Sequence, residues 1–455
     1  MRTQITKKTI RQLLSGSLLV FASAAHAQTA GDTTSFKPSG NLWGYVFGDY
    51  AVKTQNDSLQ RGGGNVQYKG TNSLNSNNTT ANTNVPANVQ SNAFQIRRMY
   101  LGYDYNFAKN FSASAVLANE QTLLPNNQNT TYLKYAFVKW SNIWKNSDLI
   151  VGQYQTASFA TPNGTEPLWG YRAVERTIMD MHNNDGSTDL GVSLQGRLYT
   201  CKNAKDAERP TFVGYVLQVG NGASATPATV PFKKVRGNVF LSTLNQKLVI
   251  GLYGDYMTTQ LSPYNTSNST FKAYASYKTE AFRIGVEFFQ QTNMNSDAYL
   301  VYNPDLKYAP LTTASMASGV QQGVSVFGSV KIVKNKLNLF ARYDMYNPDT
   351  KWNSNNVYTK AYGVSAAAGN YLSGATTFYT QNFVTAGLDW TPDRRFHLMP
   401  NIWYNSYNSM MSSSGPDGTG KAYSTRMVKD ADVVYRMSFY FIFNSSKKVS
   451  NNGMY

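Results

Sequence analysis

The residues that could do chemistry are concentrated between positions 152 and 191, where histidine and charged side chains lie a few positions apart. His182 lies between Asp180 and Asp185, so a carboxylate could orient its imidazole for general base catalysis. No surrounding motif supplies a nucleophile, and nothing has the spacing of a dedicated metal site. We therefore predict no catalytic residue, no metal and no cofactor, and we interpret His397 as an ordinary strand residue.

The same stretch has the pattern of an amphipathic helix that begins near Pro167 and ends before Gly186. The apolar residues at helical spacing are Tyr171, Val174, Ile178 and Met181. The charged residues are Arg172, Glu175, Arg176 and Asp180, of which the two arginines and the aspartate succeed each other at i, i+4 steps. If the flanking strands close into a barrel, this segment would fold inward and constrict an aqueous pore. The alternative is a surface helix in an outer loop.

Basic residues also recur opposite apolar faces elsewhere in the chain, which suits conduction of anions better than catalysis. An anion that enters a narrow pore loses part of its solvation, and fixed cations on the wall offset that loss. The candidate pore-lining residues are Arg98, Lys134, Arg197, Arg236, Lys272, Arg283, Lys331, Arg342 and Arg436. The alternative is that they pair with Asp104, Glu287 and Asp344 to keep a polar interior neutral. As a set, the basic residues outnumber the acidic ones.

The elements that must position these residues are strands of about ten residues that alternate in hydrophobicity from Leu42 to Phe443. In the last strand, apolar residues from Val433 to Phe443 alternate with polar ones such as Arg436. The fourth strand is predicted to place Leu133, Tyr135 and Phe137 on one face and Lys134 on the other. A hairpin strand is predicted from Phe282 to Phe289.

Short turns and long polar loops take turns along the chain, with seven of the former and eight of the latter. This order predicts sixteen strands in an all-β, antiparallel up-and-down transmembrane barrel, with an inward-folded helical third loop at 156–189. A soluble β-sandwich is the alternative on periodicity alone, but sandwiches mix Greek-key crossings with hairpins.

Targeting and composition agree with export to a membrane. Residues 1–27 have the basic start, short apolar run and Ala-His-Ala cleavage site of a signal peptide. Aromatic residues make up 14% of the chain and charged residues only 15%, below the roughly 25% of soluble domains. The mean hydropathy is −0.40, and no later apolar run is long enough for a membrane helix. The single cysteine, Cys201, cannot form an intramolecular disulfide.

The chain carries a net charge of +17, and removal of the four basic residues of the signal leaves +13. Such a positive charge could attract nucleic acid, an anionic membrane surface or small anionic solutes. Charge alone does not choose among these partners. The barrel pattern favours outer-membrane lipid and small anionic solutes and gives no reason to expect nucleic acid.

Several stretches resemble the phosphate-selective porins O and P, in the divergent form of Bacteroidetes-type bacteria. They are FQIRRMYLG at 94–102, VGQ at 151–153, Glu175-Arg176, LGV at 190–192 and GLDWTP at 387–392. The resemblance implies a sixteen-stranded trimeric barrel whose third long loop narrows the pore, with Arg172 and Arg176 at the constriction. Barrels of this kind commonly end on an aromatic residue, whereas here residues 444–455 come after Phe443.

The sequence thus predicts a signal peptide at 1–27, a short N-terminal segment at 28–40, a barrel at 41–443 and a tail at 444–455. The predicted function is a passive diffusion channel of the bacterial outer membrane, homotrimeric and anion-preferring, with phosphate among the candidate solutes. The alternatives are a channel for uncharged solutes such as sugars and a surface adhesin or receptor barrel.

Overall fold

The computed structural model describes residues 36–55, 57, 91–120, 130–161, 164–165, 176–201, 211–261, 265–302, 311–352, 357–358, 379–409 and 429–444. Within these residues the chain forms sixteen long strands, three two-residue strands and one short helix. The predicted signal peptide and almost all of the predicted tail lie outside them.

The first part of the barrel comprises six strands: β1 (Ser39–Gln55), β2 (Ser91–Ala108), β3 (Phe111–Asn119), β4 (Tyr132–Trp144), β5 (Ser147–Gln155) and β8 (Thr188–Cys201). Between β5 and β8 lie the paired strands β6 (Ala160–Thr161) and β7 (Gly164–Thr165), and after them the helix α1 (Ile178–Met181).

The second part comprises ten long strands: β9 (Thr211–Gly220), β10 (Lys234–Thr243), β11 (Leu248–Gln260), β12 (Thr266–Lys278), β13 (Phe282–Tyr302), β14 (Leu311–Val333), β15 (Leu337–Asn347), β17 (Tyr379–Asp393), β18 (Phe396–Ser409) and β19 (Lys429–Asn444). The two-residue strand β16 (Val357–Tyr358) pairs with the far end of β13.

The sheet is closed. Each long strand pairs antiparallel with the next long strand in the chain, and β19 pairs with β1 from Trp43–Asn444 to Gln55–Val433. Closure leaves no free sheet edge within the barrel, which satisfies the backbone polar groups in lipid. The predicted sixteen-stranded up-and-down barrel is therefore confirmed.

Side chains alternate between a buried inner face and an exposed apolar outer face. Leu252, Ile284 and Tyr435 are 54%, 50% and 53% exposed on the outside, whereas Tyr253 and Phe289 point inward and are buried. A continuous apolar outer surface is the lipid-facing band of a transmembrane barrel. In the part of the chain that is described, no helix is both long and apolar enough to cross a bilayer.

Two strands are much longer than the sequence predicts. Strand β13 has 21 residues and β14 has 23, whereas the predicted strand ended at Phe289. A strand needs about 9–11 residues to cross a bilayer, so this hairpin continues beyond the membrane. The predicted strict alternation of short and long connections is also wrong, since β8 and β9 are separated by residues 202–210 and β11 and β12 only by residues 261–265.

β-Bulges and other register shifts interrupt the alternation at several places, and those in β2 and β4 change which side chains face the interior. In β2, Phe47 pairs with Arg98 and Gly48 with Ile96, so Arg97 is an extra residue, and Arg97 and Arg98 are both buried. In β4, Lys134 is skipped in the same way between the residues that pair with Val116 and Leu117. The predicted common face of Leu133, Tyr135 and Phe137 is therefore wrong beyond Leu133, because an extra residue reverses the direction of the side chains after it.

Candidate functional site

The helix α1 is a single turn within the predicted constriction loop. The side chain of Thr177 caps it by accepting a hydrogen bond from the Asp180 backbone N–H, and Asn183, with a φ of 56°, ends it. The predicted helix start at Pro167 and two predicted constriction residues, Arg172 and Glu175, lie outside the described residues. The other two are described: Nε of Arg176 lies 3.9 Å from Oδ2 of Asp180, and both side chains are largely buried.

Apolar side chains of α1 contact the barrel wall on two sides. Ile178 and Met179 are fully buried in a cluster with Tyr253, Phe289 and Tyr346 of β11, β13 and β15. The next cluster holds Met181 together with residues of β1, β17, β18 and β19: Ala51, Phe383, Trp403 and Val434. The one-turn helix therefore packs against inward-facing side chains of both groups of strands, which adjoin each other at β15 and β17.

Polar contacts hold the residues on either side of α1 against β15. The imidazole of His182 stacks on the Tyr346 ring, with centroids 3.4 Å apart and planes 7° from parallel. Nη1 of Arg342 donates to the carbonyl oxygen of Arg176 at 2.5 Å, and the same guanidinium pairs with Asp344. Burial, with the nearby charge of Arg342, lowers the pKa of His182 to about 3, so the imidazole is neutral at physiological pH.

A second set of contacts reaches β13 and β14. Nδ2 of Asn184 donates to Oε1 of Gln291 at 3.1 Å and to Oε1 of Gln321, and Nε2 of Gln291 donates back to the Asn184 carbonyl at 2.9 Å. A glycine in β14 leaves space for the segment to approach the strand closely. A Cβ on Gly323 of β14 would stand 2.2 Å from Cε1 of Phe289 and 2.9 Å from Cδ1 of Ile178, so the glycine makes room for the Phe289 ring and for Ile178 beside it.

An ionic anchor holds the C-terminal end of the segment. Asp185 accepts hydrogen bonds from Nη2 of Arg236 at 2.9 Å, Nζ of Lys234 at 3.1 Å and the hydroxyls of Tyr253 and Ser158 at 3.1 and 2.7 Å. Burial alone raises the pKa of the Asp185 carboxyl, but the charges of Arg236 and Lys234 lower it well below its ordinary value of 3.8. The anchor is therefore ionised at physiological pH.

Asp189 extends this anchor, since it accepts from Nη1 of Arg236 at 2.7 Å and from the Gly222 backbone N–H at 2.8 Å. A carboxylate that accepts from a guanidinium forms the stronger class of protein hydrogen bond. Asp185 and Asp189 thus hold opposite ends of one guanidinium. Asp189 belongs to β8, so the segment cannot move away from β10 without breaking the pair between Asp185 and Arg236.

The N-terminal end of the segment is fixed through its backbone. The Ala157 N–H donates to Gln218, and Asn238 donates to the Ala157 carbonyl, both at 3.0 Å. Nζ of Lys272 donates to the Ser158 carbonyl at 2.6 Å. Contacts from β9, β10 and β12 therefore determine where the segment leaves the wall.

Of the nine predicted pore-lining residues, five are buried on the inner face: Arg98, Lys134, Arg236, Lys272 and Arg436. Three are partly exposed, namely Arg197, Arg283 and Arg342, and Lys331 is exposed near the end of β14. Arg197 lies over the Phe212 ring at 4.5 Å, away from the segment. The structure thus brings some of the predicted set around the segment between β5 and β8 and places the rest elsewhere.

The buried cations are paired with carboxylates. Asp49 contacts Arg97 and Arg436, Glu120 contacts Arg98 and Lys134, and Lys53 lies 2.7 Å from Asp432. Among the described residues, eight buried side chains are basic and nine are acidic. These buried residues therefore show the alternative stated from the sequence, in which basic residues pair with carboxylates. As a set, they do not show the predicted surplus of basic residues.

Sequence reasoning missed several residues of this site. Lys234 could have been found, because it is two positions before Arg236 in a strand and so shares its face. Asp185 and Asp189 are four positions apart beside the predicted helix end, but nothing in the sequence indicates that they pair with Arg236, about fifty positions later. Nothing in the sequence indicated that Arg97 faces the interior, because strict alternation in β2 would direct its side chain towards lipid.

The two histidines in the described part of the chain have identifiable neighbours. No set of three or more His, Cys, Asp or Glu side chains there could hold a metal ion. Nδ1 of His397 lies 2.8 Å from Asp389 and 3.3 Å from the Thr391 hydroxyl, so one ring nitrogen serves both neighbours. The arrangement positions the imidazole between β17 and β18 and supplies no activated nucleophile.

No family model matches this chain, and no curated protein matches its sequence. Solved structures do resemble it. The outer membrane channel DcaP of Acinetobacter baumannii aligns over 91% of this chain and all of its own, with 12% identity and a TM-score of 0.51. The anion-selective porin from Comamonas acidovorans aligns over 90% and 100%, with 11% identity and a TM-score of 0.50.

OprB of Pseudomonas putida, in its high-pH structure, covers 94% of this chain and 97% of its own, with 9% identity and a TM-score of 0.50. At such identities the likeness concerns the fold alone. A closed sixteen-stranded barrel with an apolar outer face places the protein in the bacterial outer membrane. The resemblance to the phosphate-selective porins O and P stays a prediction.

Proposed function

We propose that the protein is a passive diffusion channel for small hydrophilic solutes, with a preference for anions and with phosphate among the candidate solutes. The observation that carries this proposal is the position of the described residues between β5 and β8 (156–161, 164–165 and 176–187), here called the crossing segment. Contacts to β9–β15 and apolar packing towards β17–β1 hold these residues inside a closed barrel. A fixed segment of this kind narrows an aqueous path and so selects solutes by size and charge.

The preference for anions rests on net charge and on two local groups of side chains. The chain without its signal carries +13. On the inner wall, Asp49 and Glu120 each lie against two cations, although the buried charges of the described residues balance as a set. Outer-membrane lipid and small anionic solutes are the partners we propose, with a homotrimer as the assembly and no role for nucleic acid.

A second candidate, a channel for uncharged solutes such as sugars, is favoured by an inward aromatic group. The Tyr45 ring lies 4.6 Å from that of Tyr100 and 5.6 Å from that of Tyr440, and all three are buried on the inner face. Aromatic faces suit the apolar faces of sugar rings, so this group would act where charge is not required.

Planar-bilayer conductance of the purified protein across a KCl gradient tests the proposal. We expect steady conductance and a reversal potential of the sign that anion preference gives. A reversal potential of the opposite sign would overturn anion preference, while a reversal potential of zero would favour the uncharged-solute candidate. A protein that inserts but does not conduct would be an adhesin or receptor instead.

The predicted constriction residues provide the variant test. Replacing Arg172 and Arg176 together by Gln is expected to lower the anion-to-cation permeability ratio, because two cations leave the segment. The matched control is Lys336→Gln with Lys334→Gln, which removes the same charge from the exposed turn between β14 and β15. Equal selectivity in both double variants would contradict a constriction at these arginines.

A further inference from the structure

The short turns at one end of the barrel are strongly basic. Six of these turns lie within the described residues, and their sixteen residues include seven cations but only one carboxylate, Glu280. The whole chain has 42 basic and 25 acidic residues, so the excess in these turns is far above its average. The seven cations are all exposed and are here called the basic rim: Lys109, Lys145, Lys247, Lys334, Lys336, Arg394 and Arg395.

The carboxylates beside these turns do not offset the charge in number. Asp148 and Asp393 each accept a hydrogen bond from a nearby backbone N–H, at 3.0 and 2.9 Å, and so stabilise their own turns. When the three residues on either side of each turn are included, the basic rim is joined by Lys278, Arg283 and Lys331. Ten cations therefore accompany three carboxylates in and beside the six described turns.

Aromatic rings lie directly behind the basic rim. Phe107 and Phe111 flank the first of these turns with ring centroids 5.9 Å apart, and Trp140 continues the stack at 5.4 Å. Trp144, which is 52% exposed, immediately precedes Lys145. Aromatic rings at the edge of the apolar band of a barrel mark the level of the lipid headgroups. The cations that follow these rings therefore lie at that level.

The turns are too short to carry the basic rim far from the bilayer. Five of the six have two or three residues, and each of the seven cations is directly next to the end of a strand. Lys and Arg side chains in such places keep their aliphatic parts on apolar surface and extend their charges towards the headgroups. Short turns of outer-membrane barrels face the periplasm. The basic rim thus meets the headgroups of the leaflet on that side.

We propose that the basic rim binds the headgroups of anionic phospholipids in the leaflet that faces the periplasm. Cations occur in five of the six described turns, from the β2–β3 turn to the β17–β18 turn, which suits a layer of lipid around the barrel better than one docked protein. Anionic headgroups attract each such cation. The proposal adds a site and a headgroup charge to the lipid partner given above, and it rests on the orientation of the barrel rather than on what the barrel conducts.

Quenching of tryptophan fluorescence by brominated lipids measures the preference. Trp144 and Trp390, 52% and 47% exposed, lie at the end of the barrel that carries the basic rim, and a form with both replaced by Phe isolates their signal. In vesicles of equal phosphatidylcholine and phosphatidylglycerol, brominated phosphatidylglycerol should be preferred about fivefold, as expected for a headgroup beside one cation. At 1 M NaCl, where the Debye length is about 3 Å, the preference should largely disappear.

Three substitutions remove the rim cations next to the two reporter rings. Lys145→Gln, Arg394→Gln and Arg395→Gln together should lower the preference to about twofold or less. The matched control is Lys233→Gln, Lys351→Gln and Lys429→Gln, which removes three exposed cations from the opposite end of the barrel and should leave the preference at about fivefold. Lys145→Arg, Arg394→Lys and Arg395→Lys, which keep the charge, should also retain it. Heat-modifiable electrophoretic mobility reports whether each variant folds.

The outcome separates this proposal from the channel function. A wild-type protein without preference for phosphatidylglycerol, or an equal preference in the wild type and the folded Gln variant, would overturn the basic rim as a lipid site. A preference that 1 M NaCl leaves unchanged would overturn it as well. None of these results touches conductance in planar bilayers, and a folded barrel that prefers phosphatidylglycerol but does not conduct would overturn the channel function alone.

Discussion

Replacing Asp185 by Asn should release the crossing segment. The variant keeps an oxygen that can accept from Ser158 and Tyr253, but it loses the negative charge between Arg236 and Lys234. Removing one partner of a buried ion pair costs about 3–5 kcal/mol. Asp189 and Asp255 stay next to the two cations, so the lower end, about 3 kcal/mol, applies.

This energy predicts a change in channel behaviour that can be counted. With about 1.4 kcal/mol for each factor of ten, the population of channels with a released segment should rise roughly a hundredfold. Single-channel recordings would report it as a larger fraction of time in a higher-conductance, noisier state. Asp393→Asn is the matched control, because its exposed carboxylate accepts only a local hydrogen bond from the Arg395 backbone N–H in the turn between β17 and β18.

A double-mutant cycle locates the effect. If Asp185 acts through Arg236, combining Asp185→Asn with Arg236→Gln should cost less than the sum of the two single changes. Additive costs would mean that the two residues stabilise the segment independently of each other. Unchanged recordings in Asp185→Asn, with the barrel inserted and folded, would refute the ionic anchor and leave the contacts to β13–β15 as the determinant of the segment's position.

Two further predictions concern His182 and Gly152. Because burial lowers the pKa of His182 from 6.5 to about 3, protonation favours the unfolded state, and stability should fall by about 1.4 kcal/mol per pH unit as pH decreases from 6.5. The urea midpoint should drop less between pH 7 and pH 5 in His182→Gln than in wild type; equal drops would contradict this. Gly152→Ala should cost about 2 kcal/mol, since φ is +127° and a Cβ would lie 2.3 Å from the Ala136 carbonyl oxygen, whereas Gly254→Ala should have little effect on the same midpoint.

The outer face of the barrel could be predicted because lipid imposes one rule on every strand. Tyr435, Met437 and Phe441 of β19 are 53%, 42% and 43% exposed, as their alternation with Arg436 and Ser438 predicts. The number of strands could be predicted from the same rule. Lipid sets no such rule beyond the bilayer, which is why the sequence did not predict that β13 continues past Phe289.

The interior was harder to predict because its contacts join residues far apart in sequence. Asp185 and Arg236 are 51 positions apart, and Asn184 and Gln321 are 137 positions apart. Taken singly, each of these side chains has the pattern of an ordinary polar residue in a loop or strand. The bulge at Arg97 depends on the pairing of β1 with β2, which no pattern within β2 alone reveals.

The location of charge inside the barrel also has a physical reason. A buried cation without a counter-charge is costly, so a protein that needs positive potential in its interior must offset most of its arginines and leave only a local excess. The described side chains follow the first part of this rule, since buried cations lie against carboxylates. Asp49 and Glu120 each serve two cations on the β18–β4 side, whereas Lys234 and Arg236 face three carboxylates, Asp185, Asp189 and Asp255, where the segment is anchored.

The ionic anchor is locally negative, because two cations there meet three carboxylates. A solute that passes the crossing segment would meet this negative charge. Replacing Asp185 by Asn should therefore have two effects, because it loosens the segment and also removes negative charge. Both changes should raise anion permeability. Asp255→Asn, which removes charge beside Lys234 but leaves the pair between Asp185 and Arg236 in place, separates the two effects: it should raise the anion-to-cation ratio without the noisier state. A noisier state in Asp255→Asn would show that charge and position cannot be separated at this anchor.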